Sequence, residues 1–216
     1  FRHNNEGNTT PAHPISVYAD KRLNNVPSLD TLHLSMGQDI KQAINSGVFI
    51  LDGAMGTAVQ SMELTIDGDY LGRENCTDIL TKTRPDLVKQ IHASFLDVGV
   101  DAIETNTFGA NRLVLGEFDE EAPSWAFELN VQSASIARAA CDEAGGDRFV
   151  LGSMGPGTKL LTLGQTTWNT MLDSYKEQAL GLIEGSVDAF LIETCQDILQ
   201  VRCAVNACLD ALSEAG

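Results

Sequence analysis

Three carboxylates in this sequence stand where carboxylates are costly. Asp52 closes the apolar run Val48-Phe49-Ile50-Leu51, Glu104 ends Val100-Asp101-Ala102-Ile103, and Glu193 ends Ala189-Phe190-Leu191-Ile192. Such runs read as buried strands. A charge carried to the end of a buried strand must pair with something, bind a cation or change its protonation state. Acids held in that way suit two tasks, gripping a cation and exchanging protons. Further polar groups gather at the same kind of position: Asn106 and Thr107 behind Glu104, and Ser153 in Phe149–Met154. The loop Gly53-Ala54-Met55-Gly56-Thr57 follows Asp52. Its two glycines, three apart after a strand, let successive N–H groups turn toward one point, a nest for a carboxylate or phosphate. It is neither a dinucleotide fingerprint nor a Walker loop, and GPGTK at 155 to 159 lacks the Walker spacing.

Glu104 and Glu193 could instead be the paired carboxylates of a glycosidase. Sugar sites want aromatic platforms, and 2 Trp with 3 Tyr supply few. Metal ligation has little to draw on. His3, His13 and His33 sit in the polar beginning of the chain, and His92 falls within a helical pattern. The 5 cysteines, Cys76, Cys141, Cys195, Cys203 and Cys208, are odd in number and contain no C-x-x-C pair, which disfavours a disulfide framework. Cys76 and Cys195 could approach strand ends, but two distant thiols without a third ligand do not make a zinc site. Cys203 and Cys208 read as helix packing.

The elements that must position these residues follow from periodicity. Residues 1–35 are polar and without sustained period, which predicts a flexible leader or linker. The chain begins with Phe1, not Met, so an excerpt of a longer protein is expected. Ile40, Ala43 and Ile44 make a short amphipathic turn. Pro85 opens a helix whose apolar face carries Leu87, Ile91, Phe95 and Leu96 and which stops at Gly99. Trp125 to about Ala144 is a second helix, with Phe127, Val131 and Ile136 among its apolar positions. Met171, Leu172, Tyr175, Ala179, Leu182 and Ile183 stripe a third that ends at Gly185, and Asp197 caps a fourth carrying Ile198, Val201, Val205, Leu209 and Leu212. Strands apolar on both faces, alternating with helices, predict an α/β chain with a covered parallel sheet. GVDAIET (99–105) and SVDAFLIET (186–194) echo each other, and the two-residue difference keeps each Glu on the same pleat face relative to its Asp. Repeated βα units of this kind favour a (β/α)8 barrel, and residues 36–216 hold only about four of the eight units that a barrel of typically ~250 residues requires.

Composition narrows the partners. The chain has 216 residues, 43% hydrophobic and 20% charged, enough for a sizeable core. A formal net charge of -16 repels phosphate backbones and anionic membrane surfaces, so neither nucleic acid nor membrane is an expected partner. No apolar run nears the ~20 residues of a membrane span, and no signal sequence is legible, so a cytoplasmic location is expected.

The strings ILDGAMGT (50–57), TRPDLVKQIH (83–92), IETNTFGAN (103–111), GSMGP (152–156), KLLTLG (159–164) and LIETCQDILQV (191–201) resemble the homocysteine-binding methyltransferase domain of cobalamin-dependent methionine synthases. The resemblance runs in order from about residue 36 to the C-terminus. GPGTK departs from the family's usual Gly-Pro-Thr-Gly-Lys, and LTKTRPD from Leu-Asn-Leu-Thr-Arg-Pro-Asp. By resemblance the fold is a (β/α)8 barrel that transfers a methyl group from methylcobalamin to a zinc-bound homocysteine thiolate, making methionine. Relatives using betaine or S-methylmethionine as donor, and a truncated non-catalytic fragment, are the alternatives. The resemblance implies that Asp52 and Glu193 hold the substrate ammonium and that the N–H groups of Gly53, Ala54, Met55, Gly56 and Thr57 receive its carboxylate. Asn106, Thr107 and Ser153 would line the pocket. It also implies that the zinc-ligating cysteines lie beyond Gly216, and that cobalamin- and folate-binding modules belong to the same polypeptide. Residues 1–216 alone are then expected to bind no zinc or cobalamin and to be inactive.

Overall fold

The computed structural model describes residues 40–216. The leader expected over residues 1–35 lies outside them, as do His3, His13 and His33. Helices and strands alternate as α1 (Ile40–Ser46), α2 (Met55–Gln60), α3 (Leu80–Thr83), α4 (Pro85–Asp97), β1 (Ala102–Glu104), α5 (Arg112–Leu115), α6 (Ala126–Ala144), β2 (Phe149–Met154), α7 (Trp168–Glu184), β3 (Ala189–Ile192) and α8 (Ile198–Ala215). Short 3-10 turns at Thr77–Ile79 and Ala122–Trp125 precede α3 and α6.

The strands form a parallel sheet in the order β1-β2-β3. Leu51 adds a parallel bridge to Ala102 on the outer side of β1. Strands that advance in one direction through right-handed crossovers keep their helices on one face, and the packing agrees. Ile103, Val150 and Met154 join the core with α6, α7 and α8, while Ala102, Phe149 and Leu151 face the opposite side, where Ile40, Ala43 and Phe49 pack against them. Helix α7 lies so close to the sheet that a Cβ on Gly152 would come within 2.8 Å of Leu182 Cδ1.

The two VDA strings perform one structural task. Asp101 N–H donates to the Ile50 carbonyl (2.8 Å), and its Oδ2 accepts the Ile50 N–H (2.8 Å). Asp188 repeats the pattern two crossovers later, giving its N–H to Val150 O (2.8 Å) and accepting Val150 N–H at Oδ2 (2.7 Å). Each aspartate thus latches the amino end of its strand to the strand before it. Arg138 on α6 also binds Asp188.

Helix ends follow local chemistry. Pro85 starts α4 at a position where an N–H would have no helical acceptor. Thr167 caps α7 by accepting Thr170 N–H, and Asp197 caps α8 by accepting Leu199 N–H, as its sequence position predicts. The Asp197 carboxylate also accepts from Thr162 N–H (2.9 Å) and its hydroxyl (3.0 Å), tying the β2–α7 loop to the start of α8.

Two expectations need correction. Val48 to Leu51 is not a buried strand: Val48 is 88% exposed, Ile50 51% and Leu51 37%, and the segment pairs only through the Leu51 bridge. Apolar residues at the edge of a sheet stay exposed wherever no further strand or helix covers them. Nor is β3 fully buried, since all four of its residues are half-buried. It is the other edge.

Candidate functional site

Alternation along the strands decides which side chains meet. Glu104 shares the face of Ala102, Ser153 that of Leu151, and Glu193 that of Leu191, all opposite the helices. Each stands at the carboxyl end of its strand. Asp52 joins them from the edge segment, its Oδ1 accepting the Glu104 N–H at 3.0 Å, where a longer strand would have offered a backbone carbonyl. The Glu193 N–H donates to Met154 O at 3.2 Å, extending the ladder one residue past β3.

The result is a mouth of three carboxyl groups and a hydroxyl. Ser153 Oγ donates to Glu193 Oε1. Burial, opposed by the hydrogen bond from Glu104 N–H and aggravated by the charge of Glu193, pushes Asp52 up to about 7. Burial, and then the charges of Glu193 and Asp52, push Glu104 up to about 7 as well. Like charges crowded into a partly dry site hold on to protons, and such a site gains most from a cation.

The GAMGT loop rises beside Asp52. Ala54 takes a left-handed conformation (φ 38, ψ 52) and starts α2 without a side-chain cap. The first N–H groups of any helix have no acceptor within it, so those of this loop remain available to an anion. Gly53, Ala54, Gly56 and Thr57 are exposed and Met55 is half-buried. An acid cluster beside N–H groups that lack helical acceptors is complementary in charge to a zwitterion.

Asn106 and Thr107 stand beneath the mouth, not in it. Asn106 is buried and donates to Thr77 O (2.8 Å). Thr107 is fully buried, with its hydroxyl donating to Ser153 O (2.8 Å) and lying 2.5 Å from the Thr105 hydroxyl. Thr105 Oγ1 in turn accepts Ser153 N–H (3.0 Å). Thr105 and Thr107 thus brace Ser153, whereas Asn106 ties its loop to the Thr77 turn. Glu104 was legible in the sequence as a strand end and as one of a paired set of carboxylates; its contact with Asp52 and Glu193 depends on register across the sheet.

The residues present do not fit a zinc centre. Among the described residues no three His, Cys, Asp or Glu side chains are placed to hold a metal ion. Cys76, Cys203 and Cys208 are buried in the core, where burial pushes each thiol up to about 12, and Cys141 up to about 11. Metal ligation needs the thiolate, which those surroundings oppose. Cys195 alone is half-buried, with its thiol donating to the Glu193 carbonyl at 3.3 Å.

A protein-family model described as homocysteine S-methyltransferase matches residues 49–214. The methionine synthases of Mycobacterium tuberculosis and Mycobacterium leprae are each 45% identical over 181 residues, covering 82% of this chain and 15% of theirs. The chain therefore spans about 15% of the length of these curated relatives. Among solved structures, the homocysteine methyltransferase MmuM from Escherichia coli in its oxidised form superposes with a TM-score of 0.60 at 16% identity, covering 82% of this chain and 62% of that one. Its metallated form gives 0.60 at 17% identity, with 82% and 64% covered. The structural likeness is one of fold.

Proposed function

Because the chain belongs to the homocysteine S-methyltransferase family, we propose that its acid mouth captures homocysteine for methylation to methionine. The observation that carries this reading is the convergence of Asp52 and Glu193, with Ser153 fixing Glu193, at the carboxyl ends of the strands. Reactive groups of (β/α)8 enzymes come from that end. In this reading Asp52 and Glu193 bind the substrate ammonium, the N–H groups of residues 53–57 receive its carboxylate, and the side chain is left pointing into the mouth. Asn106 and Thr107 act as braces of the pocket wall.

Residues 36–216 are read as about the first four βα units of a (β/α)8 barrel, 1–35 as a leader. In support stand the monotonic parallel order of the strands, the placing of α6, α7 and α8 on one face, and the uncovered apolar edge at Val48 and Ile50. The methyl transfer is proposed for the protein as a whole. Zinc ligands, and the cobalamin- and folate-binding modules that would deliver the methyl group, are assigned to sequence outside the described residues. What these residues contribute is binding and orientation: two opposite charges held in place fix where the thiol points, and orientation of this kind lowers the barrier to transfer.

Substitution tests the assignment. In the intact protein that carries this domain, Glu193→Ala should weaken homocysteine binding at least tenfold, roughly the cost of unpairing one desolvated charge, and leave zinc content unchanged. Unchanged affinity would remove Glu193 from the site.

A further inference from the structure

Helix α7 buries a glutamine inside its apolar stripe. Gln178 is 0% exposed, and its amide reaches across to the sheet: Nε2 donates to Thr107 O at 2.7 Å and, more loosely, to Ser153 O at 3.4 Å. Its Oε1 has no partner among the described residues. Burying a half-satisfied amide costs more than burying a methionine of the same length, which points to a task for the donor end.

The hydrogen bonds of Ser153 show what that task is. Strand β1 ends at Glu104, and its ladder closes with Thr105 N–H on Leu151 O (2.9 Å). The N–H and carbonyl of Ser153 turn toward β1 beyond that point and have no strand opposite them, so side chains take its place. Ser153 N–H donates to Thr105 Oγ1 (3.0 Å), and Thr107 Oγ1 donates to Ser153 O (2.8 Å). A hydroxyl carries one hydrogen, and that of Thr107 is committed to Ser153 O, so in the 2.5 Å contact between the two hydroxyls Thr105 is the donor. The bonds run one way around a ring, from Ser153 N–H through Thr105 and Thr107 back to Ser153 O, and Gln178 pins the Thr107 carbonyl behind it. With the peptide fixed, the Ser153 hydroxyl has only its staggered positions to choose from, and it occupies the one that donates to Glu193 Oε1.

We propose that Gln178 and Thr105 are positioning residues for substrate capture, which with Thr107 lock the Ser153 peptide and so aim the Ser153 hydroxyl at Glu193. This rests on the reading of Glu193 as an ammonium ligand. Thr105 is 3% exposed and Gln178 is fully buried, so both act on the site through Ser153.

A double-mutant cycle on homocysteine affinity, measured by titration calorimetry in the intact protein, tests this. Ser153→Ala, which removes one hydrogen bond to a charged group, should weaken binding about tenfold. Gln178→Met keeps the length of the side chain and its helix propensity but loses the amide. It should weaken binding between about threefold and tenfold in the wild-type background, and less than about twofold in the Ser153→Ala background. A merely structural Gln178 would lower the folded fraction without changing the affinity of the folded protein, or would cost the same in both backgrounds. Either result overturns the proposal, as does wild-type affinity in Ser153→Ala. If Gln178→Met folds poorly, Thr105→Val, of nearly equal shape, opens the ring at its other end, and the same cycle with Ser153→Ala decides by the same criteria. Glu193→Ala separates the two claims. Wild-type affinity there refutes the ammonium reading and this inference with it; weakened binding there beside an additive or silent cycle refutes only the positioning role.

Discussion

Replacing Asp188 by Ala should destabilise the domain far more than the same change at Asp101, although the two occupy equivalent places in the VDA echo. Each accepts the N–H of the preceding strand, at 2.7 Å from Val150 and 2.8 Å from Ile50. What differs is the donor's surroundings. Val150 has 0% exposure, so its N–H would be stranded, at a cost of ~1–3 kcal/mol. The Arg138 pair lost with Asp188 is partly exposed, with side-chain exposures of 25% and 31%, and adds only ~0.2–1 kcal/mol. Together these come to ~2 kcal/mol, or about 4–8 °C in Tm for a domain of this size. Ile50 is 51% exposed, so water replaces Asp101 as acceptor and the loss falls to ~0.5–1 kcal/mol. The Arg148 contact at 4.0 Å changes little. Urea unfolding of both variants, followed by circular dichroism, measures the difference. Equal penalties, or a larger one at Asp101, would refute the argument that burial of the donor sets the cost.

A buried histidine and the cysteines supply other consequences. His92 on α4 is fully buried and neither ring nitrogen has a partner, so burial alone pulls it down to about 4. Below the ordinary histidine range the unfolded chain takes up a proton that the folded chain refuses, so stability falls from about pH 6.5 to about pH 4. His92→Leu should remove up to ~3 kcal/mol of that acid loss, seen as a flatter urea midpoint against pH; an unchanged slope would contradict it. Among the cysteines, Cys195 should be the first alkylated by iodoacetamide in the native protein, and slowly, because burial and the Glu193 charge both raise its pKa. Peptide mapping that finds Cys76 or Cys208 modified first would contradict the core packing.

Much of the fold was legible because it rests on local signals. Pro85 and Asp197 mark helix starts through chemistry confined to one turn, and the apolar stripe over Met171 to Ile183 needs only the period of a helix. The opening of α6 was less legible. A 3-10 turn intervenes at Ala122–Trp125, and Phe127, counted among the apolar face, is 40% exposed. Short helices such as Met55–Gln60 and Arg112–Leu115 are too brief to show a period. The exposed run at Val48 to Leu51 shows the deeper limit, because hydrophobicity reports what a segment could bury and not what lies against it. The candidate site divides similarly. Strand ends nominated Asp52, Glu104 and Glu193, and alternation placed the two glutamates on one face. Their contact comes from register, with Glu104 opposite Leu151 and Met154 opposite Ile192, and register is a property of strands far apart in sequence. The hydrogen bonds of Asn106 to Thr77 and of Thr107 to Ser153 were hidden for the same reason.

A crystal structure of the intact protein soaked with homocysteine would address the central claim without intermediaries. The account predicts the substrate nitrogen within ~3 Å of carboxyl oxygens of Asp52 and Glu193, with its carboxylate against the N–H groups of residues 53–57. A nitrogen lodged elsewhere, with the three acids facing only water, would contradict it.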